Sequence, residues 1–112
     1  MIAQKNRLKK ADFEQLFKNG NKGFNQYCNI RYLANGLGYC RFGVITSNKI
    51  SNKSTQRNKI RRRIKAVLRE NLSNFKPNID LVITVLPLLK GLDYQETKDI
   101  LLNLLKKYRL LV

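Results

Sequence analysis

The apolar positions of this chain fall into three helical and three strand-like patterns. Between Asp12 and Asn19, Phe13, Leu16 and Phe17 share one face, Asp12 and Gln15 stand in capping-box spacing, and Gly20 follows as a stop, which predicts a short helix. From Tyr27 to Ala34, Cys28, Ile30, Tyr32 and Ala34 alternate with Asn29 and Arg31, the pattern of a half-buried strand. Asn35-Gly36, with Gly38 behind it, predicts a hairpin turn into a second strand, Tyr39 to Ser47. A polar loop from Asn48 to Thr55 leads into a predicted helix over Gln56 to Phe75. At about 100° per residue its Ile60, Ile64, Val67, Leu68 and Phe75 face one way and Arg61, Arg62, Lys65 and Arg69 another. Pro77 and Asn78 end it. Ile79 to Leu86 is a β-branched apolar run bounded by prolines, the mark of a strand buried on both faces. A last helix begins at Asp93, whose capping-box partner is Glu96, and carries Ile100, Leu101, Leu104, Leu105 and Tyr108 on its apolar face. The order α-β-β-α-β-α predicts an α+β sandwich, with helices packed on one face of a small sheet.

A length of 112 residues with 43% hydrophobic content suits one domain spanning 1–112. Charge then points to the partner. Twenty-three Lys and Arg against 7 Asp and Glu leave a formal +16, which a polyanion would neutralise. Arg41 to Lys76 holds eleven of these cations and one acid, Glu70, whereas Ile79 to Val112 holds five cations and four acids. Arg57, Arg61, Lys65 and Arg69 stand four apart on the helix and repel one another. Solvated helix faces ordinarily alternate in sign instead, so the run is an electrostatic footprint for nucleic acid. An acidic protein or membrane surface fits less well.

Other classes find little support. Met1 to Lys10 is polar and basic, so no secretory signal is expected. The apolar stretches around Leu81 to Leu89 and Ile100 to Val112 are too short or too interrupted to span a bilayer, and a cytoplasmic location is expected. Cys28 and Cys40 read as buried small hydrophobes. The chain has no His, which removes the commonest general base. Asp93, Glu96 and Asp99 suit a helix start, and no catalytic or metal-holding set stands out, Asp80 included. Phe13, Phe17, Tyr27, Tyr32, Tyr39 and Phe42 are either core or a platform for unpaired bases.

The run Arg57-Asn58-Lys59-Ile60-Arg61-Arg62-Arg63-Ile64-Lys65 resembles the Arg-Asn-x-x-Lys-Arg-x-x-Arg signature of the bacterial ribonuclease P protein family. Asn6 to Lys10 with Asp12-Phe13, Leu16-Phe17-Lys18 and Gly20 resembles the family's opening. Arg41-Phe42-Gly43-Val44 through Ser47, Lys49 and Ile50 resembles the strand before the signature, and Asp80-Leu81-Val82-Ile83 with Tyr94 and Thr97 its closing strand and helix. Here Arg61 and Lys65 exchange the family's Lys and Arg, and Leu86 replaces a common basic residue. The resemblance implies an α-β-β-β-α-β-α fold with a left-handed crossover and a further short strand, near Tyr39 to Ser47 or beyond. It implies a subunit that assists a catalytic RNA in removing the 5′ leader of precursor tRNA, with Mg²⁺ bound mainly by that RNA. Arg57, Asn58, Lys59, Arg61, Arg62, Lys65, Arg69, Lys49 and Lys53 would then contact RNA. Phe13, Phe17, Tyr27 and Tyr32 would line a leader cleft, and no small-molecule substrate is expected. A ribosomal-type RNA-binding protein or RNA chaperone would share the charge and fold type, and a protein nuclease would have to cleave without added RNA.

Overall fold

The computed structural model describes residues 3–112. In chain order the main elements are α1 (Lys10–Asn19), β1 (Asn21–Phe24), β2 (Cys28–Ala34), β3 (Arg41–Ile45), α2 (Ser54–Glu70), β4 (Ile79–Val85) and α3 (Tyr94–Lys107), with short 3-10 turns between some of them. The sheet order is β1-β2-β4-β3. The most apolar strand, β4, lies inside, antiparallel to β2 and parallel to β3, as its burial on both faces requires. The connection β3-α2-β4 is the crossover to a parallel neighbour, the one for which the family resemblance implies the left hand.

Alternation along the strands makes two unequal faces. Ile79, Leu81, Ile83 and Val85 of β4, with Cys28 and Ile30 of β2 and Phe42 of β3, meet Ile60, Ile64, Val67 and Leu68 of α2 and Leu101, Leu104 and Leu105 of α3 in the main core. On the opposite face Val82 packs with Leu16 of α1 and with Leu8 in a smaller cluster. Helices therefore cover both faces, not one. Leu16 must be buried somewhere, and β4 offers an apolar side chain to each side.

Four local expectations are corrected. The strands on either side of Asn35-Gly36 do not pair, because β4 inserts between them. Gly36 and Gly38 do take positive φ, 69° and 84°, but the turn is held by Asn35, which accepts from the Leu37 N–H at 2.9 Å and donates to the Tyr39 carbonyl at 3.1 Å. The hairpin is instead β1-β2, its turn closed by Asn25 Oδ1 accepting from the Tyr27 and Cys28 amides, both at 2.8 Å. That makes β1 the further short strand, upstream of β2 and not near Tyr39 to Ser47. The second helix stops at Glu70, where Asn71 turns its side chain back onto the Val67 carbonyl at 2.9 Å. Phe75 still reaches the core, edge-on to Phe42 with ring centroids 5.0 Å apart. In the first helix Asp12 stands in the first turn, accepting from the N–H of the N-cap residue Lys9 at 2.9 Å, instead of being the N-cap itself. The Asp93–Glu96 capping box of α3 forms as expected.

Candidate nucleic-acid interface

The cationic side of α2 is built by helical spacing. Asn58, Arg61, Arg62 and Lys65 line one hollow with Thr55, and no carboxylate lines it. Arg61 donates to Thr46 Oγ1 at 3.0 Å and to Asn58 Oδ1, which fixes its guanidinium across the hollow. Lys65 is held below the ordinary lysine value, first by burial and then by repulsion from Arg7 and Arg61. Arg7, from the basic arm, is thus part of the same positive field; it bridges to Phe42 alongside β3. Arg57 spends one N–H on the Ser51 carbonyl at 2.8 Å and so braces the loop that carries the exposed Lys49 and Lys53. Arg69 is exposed near the end of α2. Lys59 is not brought to this hollow. It lies on another flank of α2, in a groove with Gln56, Ile60, Arg63, Gly91, Leu92 and Asp93.

The second feature lies on the α1 side of the sheet. Register aligns Phe24 of β1, Asn29 of β2, Thr84 of β4 and Ile45 of β3 in one row across all four strands. Three interstrand gaps make this row roughly 14 Å long. The next row, Lys22-Arg31-Val82-Gly43, runs under α1. Phe13 sits on Gly43, and Phe13, Phe17 and Ile45 line one hollow with Lys10, Glu14 and Lys18. Phe17 also borders a second hollow, with Lys22, Phe24, Asn29, Arg31 and Thr84. The two hollows are ends of one trough beside α1. Phe17 is 43% exposed there, under the Arg31 guanidinium, 5.6 Å from the ring centroid, whose Nη1 donates to the Phe17 carbonyl at 2.7 Å.

Phe13 and Phe17 therefore share this trough, whereas Tyr27 and Tyr32 do not. Alternation turns Tyr32 with Cys28 and Ile30 to the other face, where its ring centroid is 6.2 Å from that of Tyr108, and Tyr27 packs against the main core. The four aromatics expected to line one cleft are therefore not brought together. Phe24, Arg31 and Ile45 were not singled out from sequence. Only Arg31 carried a signal, its outward place in the β2 alternation.

Asp12, Asp80 and Glu70 have structural partners. Arg41 grips Asp80 with two N–H bonds, 2.9 and 2.7 Å, and reaches Asp12 at 3.1 Å, while Asn35 donates to Asp80 at 2.7 Å. Glu70 accepts from the Tyr94 hydroxyl at 2.6 Å. Among the described residues no three His, Cys, Asp or Glu are grouped to hold a metal ion. Cys28 and Cys40 are buried free thiols, and burial pushes that of Cys28 up to about 12. No helix among the described residues is long and apolar enough to cross a membrane.

Comparison with known proteins agrees in sequence and in shape. The family model described as Ribonuclease P matches residues 2–109. The ribonuclease P protein component of a Pseudanabaena strain is 31% identical over 99% of this chain and 97% of its own length. The structure of the RNase P protein from Thermotoga maritima, 31% identical, superimposes with a TM-score of 0.83 over 90% of this chain and 96% of that one. The Staphylococcus aureus RNase P protein, at 23% identity, shares the fold with a TM-score of 0.87, covering 96% of this chain and 98% of that one. By its sequence along nearly the whole length and by its fold, this chain belongs to the bacterial ribonuclease P protein family.

Proposed function

We propose that this chain is the protein subunit of ribonuclease P, which binds the catalytic RNA subunit and the 5′ leader of precursor tRNA. It thereby assists RNA-catalysed, Mg²⁺-dependent removal of the leader in the cytoplasm. One observation carries the reading. Ile45 lines the aromatic trough, and the next residue, Thr46, holds Arg61 of the cationic helix. An RNA docked on α2 through Arg61, Arg62 and Lys65 therefore places a bound substrate's single strand at the mouth of the trough. Phosphates supply the anion that the hollow on α2 lacks, and bases stack on Phe13 and Phe17. The carboxylates do not fit a protein-held Mg²⁺ site, because Asp12 and Asp80 already serve Arg41; the ion belongs with the RNA in this reading.

The test is reconstitution at near-physiological Mg²⁺, with protein and RNA subunits assayed separately and together. Cleavage should be strongest with both, and RNA-free protein should not cleave. Phe17→Ala, at a half-exposed position, should fold and weaken binding of leader-bearing precursor by about 1–3 kcal/mol while mature tRNA binds as before. Equal losses for both RNAs would refute the placement of the leader.

A further inference from the structure

The row that floors the trough does not stop at α1. It continues past Phe17 across Asn29 to Phe24 on the edge strand β1, through a hollow of about 350 Å³. That volume lies in the range of small-ligand sites, roughly 300–1,000 Å³. Phe24 is 63% exposed. A large apolar ring left in water at a sheet edge has no packing reason to be there, yet its backbone is pinned: its N–H donates to the Tyr108 hydroxyl at 3.1 Å. Cations stand near the ring. Lys107 from α3 stands 5.9 Å from its centroid, and Lys22 and Arg31 line the same hollow. The floor between Phe17 and Phe24 carries the amide of Asn29 and the hydroxyl of Thr84, which can pair with base edges. A ring for stacking, polar groups beside it and three positive charges within the same patch are what an unpaired nucleotide needs. An apolar peptide would leave those charges unmatched.

We propose that Phe24 is a second stacking platform, which takes an unpaired nucleotide of the leader on the far side of Phe17 from Ile45, with Lys107 and Lys22 on its phosphates. The single strand then crosses all four strands of the sheet, in the way that other four-stranded sheets display two or three bases on exposed aromatics. This rests on the placement of the leader in the trough and extends it by one subsite.

The experiment uses holoenzyme reconstituted from full-length protein and the catalytic RNA, with precursors whose leaders are lengthened one nucleotide at a time. The readout is the affinity of each precursor relative to the shortest-leader one. With native protein, relative affinity should rise in two steps, the first for the Phe13–Phe17 end of the trough and the later one for Phe24. Phe24→Ala should abolish the later step, lowering the advantage of long leaders by roughly fivefold to a hundredfold. Phe24→Tyr, which keeps a stacking ring, should restore it, and Lys107→Gln should reduce its salt dependence. Melting curves should show the variants folded, since the ring is mostly solvated. A Phe24→Ala holoenzyme with the native dependence on leader length would overturn the subsite. So would a loss that is the same for every leader and for mature tRNA. Phe17→Ala, measured in parallel, separates the two readings. If it removes the first step while Phe24→Ala changes nothing, the trough stands and the extension falls; if neither changes the dependence, both fall.

Discussion

Gly43 makes the position of Phe13 testable by adding one methyl group. A Cβ built on Gly43 would stand 2.5 Å from Cε1 of Phe13, closer still to Cζ, and 3.3 Å from Cε2. Carbon atoms pack at about 3.5–4.0 Å, so Gly43→Ala must push the ring outward by roughly 1 Å, into the trough. Overpacking of this kind costs about 1–3 kcal/mol. Against it stands the gain from replacing a strand-interior glycine, about 0.5–1 kcal/mol. The net expectation is a destabilisation of about 0.5–2 kcal/mol, a fall in Tm of several degrees for a domain of this size. Phe13→Ala removes the obstacle. In that background Gly43→Ala should be neutral or stabilising, by up to about 1 kcal/mol, so the pair should couple by about 1–3 kcal/mol in a double-mutant cycle. Urea and thermal melts of the four proteins measure it. The displaced ring should also lower the preference for precursor over mature tRNA. An equal cost of Gly43→Ala with and without the Phe13 ring would refute the reasoning.

Two further outcomes are expected. Replacing Arg61 and Lys65 together by Ala should leave melting nearly unchanged and lower the log-log salt slope of RNA-subunit binding by about two, one for each phosphate no longer neutralised, as read from affinities at several salt concentrations. Asp80→Asn should cost about 2–4 kcal/mol in urea unfolding, somewhat less than a fully buried pair because the Arg41 and Asp80 side chains keep 19% and 11% exposure, and Asp12→Asn should cost less, since Arg41 keeps Asp80.

Burial and periodicity were legible where one element alone decides them. The apolar run that becomes β4, the two-faced helix α2 and the Asp93–Glu96 box of α3 follow from local residue order, and so does the isolation of the charge on α2. Pairing was not legible. Asn35-Gly36 does make a turn, but a turn does not say whether the strands leaving it become neighbours, and β4, forty-odd residues on, claims the place between them. Nor could β1 be foreseen, because Asn21-Lys22-Gly23-Phe24 has neither the length nor the alternation of a strand and is one only by pairing with β2. The trough inherits both limits. Phe13 and Phe17 were visible as a one-turn aromatic pair, whereas Phe24 gains meaning only from a register that aligns it with Asn29, Thr84 and Ile45. That Tyr32 faces away from Phe13 and Phe17 was not legible, because a strand's two faces look alike until it is known which helix covers each.

The central position of β4 also orders events in time. The strands flanking it, β2 and β3, make no ladder with each other, so before β4 arrives the chain has one two-stranded hairpin, β1-β2, and an orphan segment. An isolated hairpin is marginal in water. Closing the sheet requires bringing together residues far apart in sequence, the kind of pairing that slows folding and leaves strand edges open until it is made. During that interval α2, whose charged residues are all positive but Glu70, repels itself along its length. An RNA that neutralises α2 would favour the helix, and the helix docks on the side of the sheet that β4 completes. Assembly with RNA would then speed the closing of the sheet as well as stabilise the closed form.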